Sequence, residues 1–395
     1  MHTFWEWLLW GSLGVVLYTY LLYPIVLVLS SSILQTGRDT RFLWQRCNRR
    51  PGKPDAWPPV TVIIAAYNEQ SCIVERIHNL MALDYPSDRL TIRVGSDGST
   101  DETNALLSNL DIPNLRLHLF ERNRGKSSVL NDLVAESEDD ILVMTDANTQ
   151  FEADALKTLV RHFNDAGVGA VCGELHLWDA ESGDNQDGLY WRYEQILKFH
   201  ESRMGALLGA NGAIYAIRRS LYIDLPVNTI IDDFRLVMQV AKAGYRLVYD
   251  PEARAQEKVA PSVVDEAQRR VRIGMGNYQA LFTMPWALSP RYGWRWFSYL
   301  SHKVCRWFVP HCLVVAALAN TFLIASPGYL LLWLLQLGVY GLVWQGWNRQ
   351  KQGKRLGGLQ RLLLFFVLMN LALLKGFLRY MSGDVQGHWK RTARE

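Results

Sequence analysis

An almost unbroken apolar run extends from about Trp7 to Leu34, interrupted only by small or weakly polar residues and by Pro24. A run of this length can span a bilayer, and that sets the first constraint on the fold. It fits a signal peptide poorly, because no basic residue precedes it and its apolar region is too long. Arg38, Arg41, Arg46, Arg49, Arg50 and Lys53 follow directly. A cluster of this kind marks the cytoplasmic side, so the N-terminus is expected outside and the next domain inside.

The rest of the chain is not uniformly membranous. Apolar residues make up 49% of the 395 positions, yet the mean hydropathy is near zero, so the apolar residues are clustered. Fifteen Trp suit interfacial belts. Three more apolar runs lie near the C-terminus, roughly Trp307–Ile324, Tyr329–Val343 and Leu362–Phe377, the second of them short for a span. Arg349, Lys351, Lys354, Arg355 and Arg361 read as a cytoplasmic loop, which gives four spans and an external C-terminus. Lys390, Arg391 and Arg394 in the tail conflict with that parity, and a re-entrant last segment is the alternative. The stretch before the runs, to Leu300, mixes Arg with Trp, Tyr and Met and suits amphipathic helices on the membrane face. A net charge of +4 argues against a nucleic-acid partner. The five cysteines fall at no metal-binding or paired spacing and read as reduced thiols.

Between these segments the composition is that of an α/β domain. Val60–Ala66, Thr91–Gly95, Leu115–Phe120 and Ile141–Thr145 read as buried strands. In 70–83, Ile73, Ile77 and Leu80 line one face of a helix. The alternation predicts a mostly parallel sheet with helices on both sides. The expected segments are an N-terminal transmembrane helix (1–35), a basic linker (36–57), a cytoplasmic α/β domain (58–260), interfacial helices (261–304), C-terminal transmembrane helices (305–380) and a tail (381–395).

Ligands bind outside the carboxyl ends of strands in such sheets. Three strands here run into polar clusters: Tyr67-Asn68-Glu69, Ser96 through Asp101, and Asp146-Ala147-Asn148. Each alone reads equally as a helix cap or turn. Three of them after β-runs point to one shared pocket.

The order of the pieces resembles membrane-bound glycosyltransferase family 2. AAYNE, SDGSTDET, NRGKSSVLN, TDANT, GANGAIYAIRR, IDDFRL and RRVRIGMGN follow one another as in cellulose, hyaluronan and poly-N-acetylglucosamine synthases and ceramide glucosyltransferases. The resemblance implies a GT-A (nucleotide-diphospho-sugar transferase) domain that is an inverting hexosyltransferase with a nucleotide-sugar donor, most simply a UDP-sugar. It implies that Ala66, Tyr67 and Glu69 line the base and ribose pocket, that Asp97 hydrogen-bonds the uracil or ribose, and that Lys126 lies near the diphosphate. Asp146 would hold Mg²⁺ or Mn²⁺, which offsets charge on the leaving diphosphate. Asn148 stands where the family often has a second Asp and would be a weaker metal ligand. Asp233 would be the general base toward the acceptor hydroxyl, with Asp232 in support or as its rival, and both are also positioned to cap a helix.

Arg269, Arg270 and Arg272 match arginines that would bind the diphosphate bidentately; a basic helix on anionic headgroups is the alternative. Ile273 stands where polymerising members carry Trp, which shifts the expectation from chain synthesis to single additions. Gly209–Gly212 would let the backbone approach a sugar, or form a plain turn. His176 has no evident partner and reads as structural. The expected setting is a bacterial inner (plasma) membrane, with a lipid-linked or glycan acceptor. A processive polysaccharide synthase and a non-catalytic membrane scaffold or nucleotide sensor remain alternatives.

Overall fold

The computed structural model describes residues 2–45, 56–178, 188–258 and 263–383. Arg46, Cys47, Arg49, Arg50 and Lys53 lie outside these residues, as do Lys390, Arg391 and Arg394. In chain order, α1 (His2–Leu17) continues through a π-helical turn (Tyr18–Leu22) into α2 (Tyr23–Gln45). Then come β1 (Val60–Ala66), α3 (Ile73–Met81), β2 (Leu90–Asp97), α4 (Thr103–Ser108), β3 (Leu115–Phe120), α5 (Lys126–Ala135) and β4 (Ile141–Asp146). These are followed by β5 (Thr149–Phe151), α6 (Ala155–Val160), β6 (Val168–Trp178), α7 (Gly188–Arg203), β7 (Tyr215–Arg218), α8 (Asp232–Lys242) and β8 (Arg246–Lys258). The last helices are α9 (Val263–Thr283), α10 (Trp294–Ser298), α11 (Cys305–Thr321), α12 (Pro327–Lys351) and α13 (Gly358–Met381).

The chain forms two compact units, one of them Leu27–Ser262 with Trp286–Ser298, the other Met1–Val26, Val263–Pro285 and Tyr299–Val385. The first unit is built on an eight-stranded sheet of order β3-β2-β1-β4-β7-β6-β8-β5. Its first four strands are mutually parallel. β7 runs antiparallel to both β4 and β6, β8 is parallel to β6, and β5 closes the edge antiparallel to β8.

β1 is buried along its whole length. A continuous β-branched run is what a strand covered on both faces requires. Its side chains alternate between two cores. Val60, Val62, Ile64 and Ala66 meet Ile73, Ile77 and Leu80 of α3. Ile63 and Ala65 meet Val129, Leu130 and Leu133 of α5. Burying each large aliphatic side chain contributes about 1.5–3 kcal/mol. Gly95 lets α5 sit directly on β2, since a methyl there would come within 2.4 Å of Val129 Cγ1. These packings place the carboxyl ends of β1, β2 and β4 side by side.

Two differences from the expected segmentation have physical causes. The helix that begins in the first apolar run continues to Gln45, through half of the expected linker. Gln35 bonds Asp39 at 2.6 Å and Arg41 bonds Gln45 at 3.0 Å, both one turn apart, a spacing that supports an exposed helix. The second C-terminal run, short in sequence, is a helix of 25 residues, because Pro327 starts it in its first turn and polar residues continue it to Lys351. Among the described residues, four helical segments are long and apolar enough to cross a membrane: His2–Gln45, Trp294–Thr321, Pro327–Lys351 and Gly358–Met381.

Within the second unit, α1 packs on α11 through Leu9, Ala316, Ala319 and Leu323, with Trp5 stacked on Phe322 at 4.3 Å. α9 is a single helix of 21 residues. It crosses α13 at Gly274 and Gly376, where a methyl on Gly376 would lie 2.6 Å from the Gly274 carbonyl carbon. The described cysteines Cys72, Cys172, Cys305 and Cys312 are free thiols.

Candidate active site

The segments after β1 and β2 bind each other. The Asn68 amide donates to Ser99 Oγ at 3.0 Å and the Glu69 amide to Thr103 Oγ1 at 2.8 Å. In return the Thr100 amide donates to Asn68 Oδ1 at 2.8 Å, and the Glu102 amide to Gln70 Oε1 at 3.0 Å. Asn68 adopts a φ of 56° to make this turn, a conformation that Asn tolerates better than most residues. Asp101 receives the Thr103 amide at 3.0 Å at the start of α4, so capping accounts for that acid. Ala66 is fully buried within β1, while Tyr67 and Glu69 are half-buried at its end. Glu69 Oε2 accepts from the Cys72 thiol at 3.2 Å.

Asp97, at the end of β2, is 0% exposed. Its two carboxylate oxygens accept the backbone amides of Arg124 and Gly125, each at 2.8 Å. Gly98 (φ +67°) permits the close approach, since a methyl there would lie 2.5 Å from the Arg124 side of the loop at the Arg122 carbonyl carbon. Asp97 thus holds the loop that ends at Lys126.

Lys126 opens α5 and is the hub of the site. Its Nζ lies 2.8 Å from Asp146 Oδ1 and 3.4 Å from Asp232 Oδ2. Burial opposes the ammonium charge, but Asp146 and Asp232 outweigh it and hold the amine protonated well above the usual lysine range. Asp232 and Asp233 form the first turn of α8, where the helix dipole favours anions. The Phe234 amide donates to Asp233 Oδ1 at 2.7 Å. Burial, and then the neighbouring Asp232, push the Asp233 carboxyl up to about 6, against the Phe234 amide and Lys126. A carboxylate so placed is a base that takes a proton near neutrality.

The 209–212 loop closes over this acid. Gly209 (φ +81°) lies against the Phe234 ring, and a methyl on Gly212 would sit 3.4 Å from Asp233 Oδ2. Asn148 donates its amide to Glu257 Oε1 at 3.0 Å. Since a carboxylate only accepts, this contact fixes which way the Asn148 amide faces. His176 pairs with Glu174 at 3.0 Å, a partner the sequence did not offer.

Arg269, Arg270 and Arg272 belong to the second unit. They lie on α9, where the Arg270 guanidinium is 4.9 Å from the Phe365 ring centroid of α13 and touches Met369 Sδ. Among the described residues, no group of three or more His, Cys, Asp or Glu side chains is arranged to hold a metal ion. The donor set nonetheless fits a hard cation that also takes substrate oxygens and water. Asp146 keeps 34% of its side chain exposed, and three carboxylates face one ammonium, an excess of negative charge that adds to burial in raising Asp233.

Residues 61–225 match the model of Glycosyl transferase family 2. The chain carries a family 2 glycosyltransferase domain. Over 273 residues it is 25% identical to the poly-beta-1,6-N-acetyl-D-glucosamine synthase of Staphylococcus aureus, covering 66% of this chain and 65% of that one. Over 254 residues it is 27% identical to the beta-monoglucosyldiacylglycerol synthase of Synechocystis, covering 60% and 52%. The chain thus spans less than two thirds of the length of these curated relatives. The mannosyltransferase PcManGT from Pyrobaculum calidifontis, solved with GDP-Man and Mn²⁺, aligns with a TM-score of 0.65 at 22% identity, across 91% of this chain and 98% of that one. The shared fold is the GT-A fold.

Arg76, Glu257 and Tyr215 are among the buried polar residues that the sequence alone does not single out. Arg76 falls among Ile73, Ile77 and Leu80 on the apolar face of α3 and is 0% exposed. Glu257 occupies an inward position of β8 in register with Ala253 and Ala255, and is 4% exposed. Tyr215 of β7 is 1% exposed and its hydroxyl has no hydrogen-bond partner among the described residues. A charge in phase with an apolar stripe was the available signal for the first two.

Proposed function

We propose that this protein is an inverting hexosyltransferase that moves a sugar from a nucleotide-diphosphate donor to a hydroxyl of a lipid-linked or glycan acceptor, at the cytoplasmic face of a bacterial inner membrane. The observation that carries the proposal is the convergence of Lys126, Asp146, Asp232 and Asp233, drawn from three separate elements. A UDP-sugar is the donor proposed.

Asp233 takes the proton of the attacking hydroxyl, and its raised proton affinity matches that task. Asp232 holds Lys126 beside it. Lys126 places a fixed positive charge where the diphosphate accumulates negative charge. Asp146, with the Asn148 amide oxygen as a weaker donor, would hold Mg²⁺ or Mn²⁺. That ion, when bound, offsets the charge of the leaving diphosphate. Tyr67 and Glu69 flank the nucleoside, while Asp97 acts by shaping the Arg124–Lys126 loop. Arg269, Arg270 and Arg272 are proposed to meet the diphosphate.

The relatives include both a polymer synthase and a glycolipid synthase. Ile273, 37% exposed on α9, offers no aromatic platform for an acceptor sugar, which favours single additions. The test is to incubate purified protein with radiolabelled nucleotide sugars and membrane extract, with and without Mn²⁺. Metal-dependent nucleotide release by wild type, lost in Asp233→Asn, is expected, with a short or lipid-linked product. Long polymer would establish processive synthesis instead. Donor binding without any turnover would establish a sensor or scaffold.

A further inference from the structure

Arg76 has the largest side chain among the fully buried residues. A guanidinium enclosed in a core is costly unless its surroundings use it. Burial pulls its proton affinity down to about 9, against the fields of Asp146 and Cys72. Its hydrogen bonds go instead to two neutral groups. Nη2 donates to Thr145 Oγ1 at 2.8 Å, and Nη1 donates to Asn79 Oδ1 at 2.6 Å. The guanidinium also lies 4.3 Å from the Phe151 ring centroid.

Each partner grips one end of the same short segment. Thr145 immediately precedes Asp146 at the end of β4. Asn79 clamps β5 through both backbone groups of Phe151, donating to its carbonyl and accepting from its amide, each at 2.9 Å. The turn that carries Asp146 and Asn148 is thus pinned at both ends by α3.

The Thr145 contact also has a direction. A guanidinium only donates, so the Thr145 hydroxyl must pass its own proton onward. It donates to the Ala213 carbonyl at 2.7 Å. Ala213 follows Gly212, at which a methyl would sit 3.4 Å from Asp233 Oδ2. One line of hydrogen bonds therefore runs from Arg76 through Thr145 to the loop over Asp233.

We infer that Arg76 is a positioning residue that sets Asp146 and Asp233 relative to each other, with Thr145 as the relay between them. This rests on the reading of Asp146 as the metal carboxylate and Asp233 as the base. Arg76 touches neither the donor nor the acceptor.

The test uses full-length protein in detergent and reads Mn²⁺ binding in the presence of UDP by electron paramagnetic resonance, alongside kcat, KM and thermal unfolding. Thr145→Val keeps the side-chain volume and removes the relay. It is expected to lower Mn²⁺ affinity and kcat by about 10- to 100-fold, the usual cost of losing a group that orients a ligand, with donor KM little changed. Thr145→Ser is expected to restore both. Arg76→Lys keeps the charge but cannot hold Thr145 and Asn79 together, and should show the same loss; should it fail to fold, the two Thr145 variants decide. Wild-type Mn²⁺ affinity and kcat in Thr145→Val, or equal losses in Thr145→Val and Thr145→Ser, would overturn the inference. Absence of Mn²⁺ binding in wild type would instead overturn the reading of Asp146, and this inference with it.

Discussion

Asp97 and Asp233 are the same residue type at comparable places, one closing a strand and one opening a helix at the same end of the sheet. Asp97 has both oxygens filled by backbone amides. Asp233 has one amide, a carboxylate neighbour and a raised proton affinity. The first is at rest, its charge satisfied by groups that cannot move without unfolding the loop. The second is held in surroundings that disfavour its charge. An acid with a backbone amide on each oxygen is an anchor, and one with fewer donors is available for chemistry.

The largest effect expected is on catalysis. Asp233→Asn and Asp146→Ala should each reduce kcat by about 10³-fold or more, since each removes a proton acceptor or a charge-stabilising site. Both should leave the fold intact, as thermal unfolding will show. Asp97→Ala should do the reverse. Two backbone amides, that of Gly125 buried, lose a charged acceptor, which costs on the order of 2–4 kcal/mol, readable as a lower denaturation midpoint. If Asp97→Ala folds as well as wild type and only donor KM rises, the contrast between anchor and reactive acid fails.

Lys126→Met should shift the contrast further. Without the ammonium, Asp233 ionises less readily, so the acid limb of the pH–rate profile should move to higher pH. In wild type that limb, read from kcat/KM, should lie near 6, with activity rising as pH rises through it. The same group bears on stability. Its folded-state proton affinity exceeds that of the unfolded chain, so the fold binds the extra proton and stability falls as pH rises from about 4 to about 6. Asp233→Asn removes that penalty and should stabilise the protein by about 1–2 kcal/mol above pH 7, measured by denaturant titration. The smallest effect belongs to Asp101→Ala, a lost helix cap worth about 1 kcal/mol with no change in kcat.

How far the sequence shows this division depends on what each residue packs against. β1 is legible to the residue, because a buried parallel strand needs an apolar run and little else encodes one; the bounds of β3 are legible too, but it is an edge strand in which only Leu115 is buried, not the buried strand its sequence suggests. Asp146 is legible because it ends such a run. Arg76 and Glu257 are not, because their roles depend on partners 69 and 109 positions away. The antiparallel half is poorly legible for the same reason: β8 alternates Ala253 and Ala255 with charged residues, and only its pairing shows which face is inside. The saturation of Asp97 is likewise invisible in SDGST, since the filling amides belong to Arg124 and Gly125.

The pairing at the edge of the sheet also places the site in time. Among the described residues, β5 finds its strand partner only in β8, and the turn carrying Asn148 meets Glu257 across 109 positions. A ribosome adding about 5–20 residues per second therefore leaves this turn without its strand for on the order of 5–20 s. For the first part of that interval, until position 233 is reached, the acids of α8 are still to be made; for the rest of it they exist while the turn carrying Asn148 still lacks its strand.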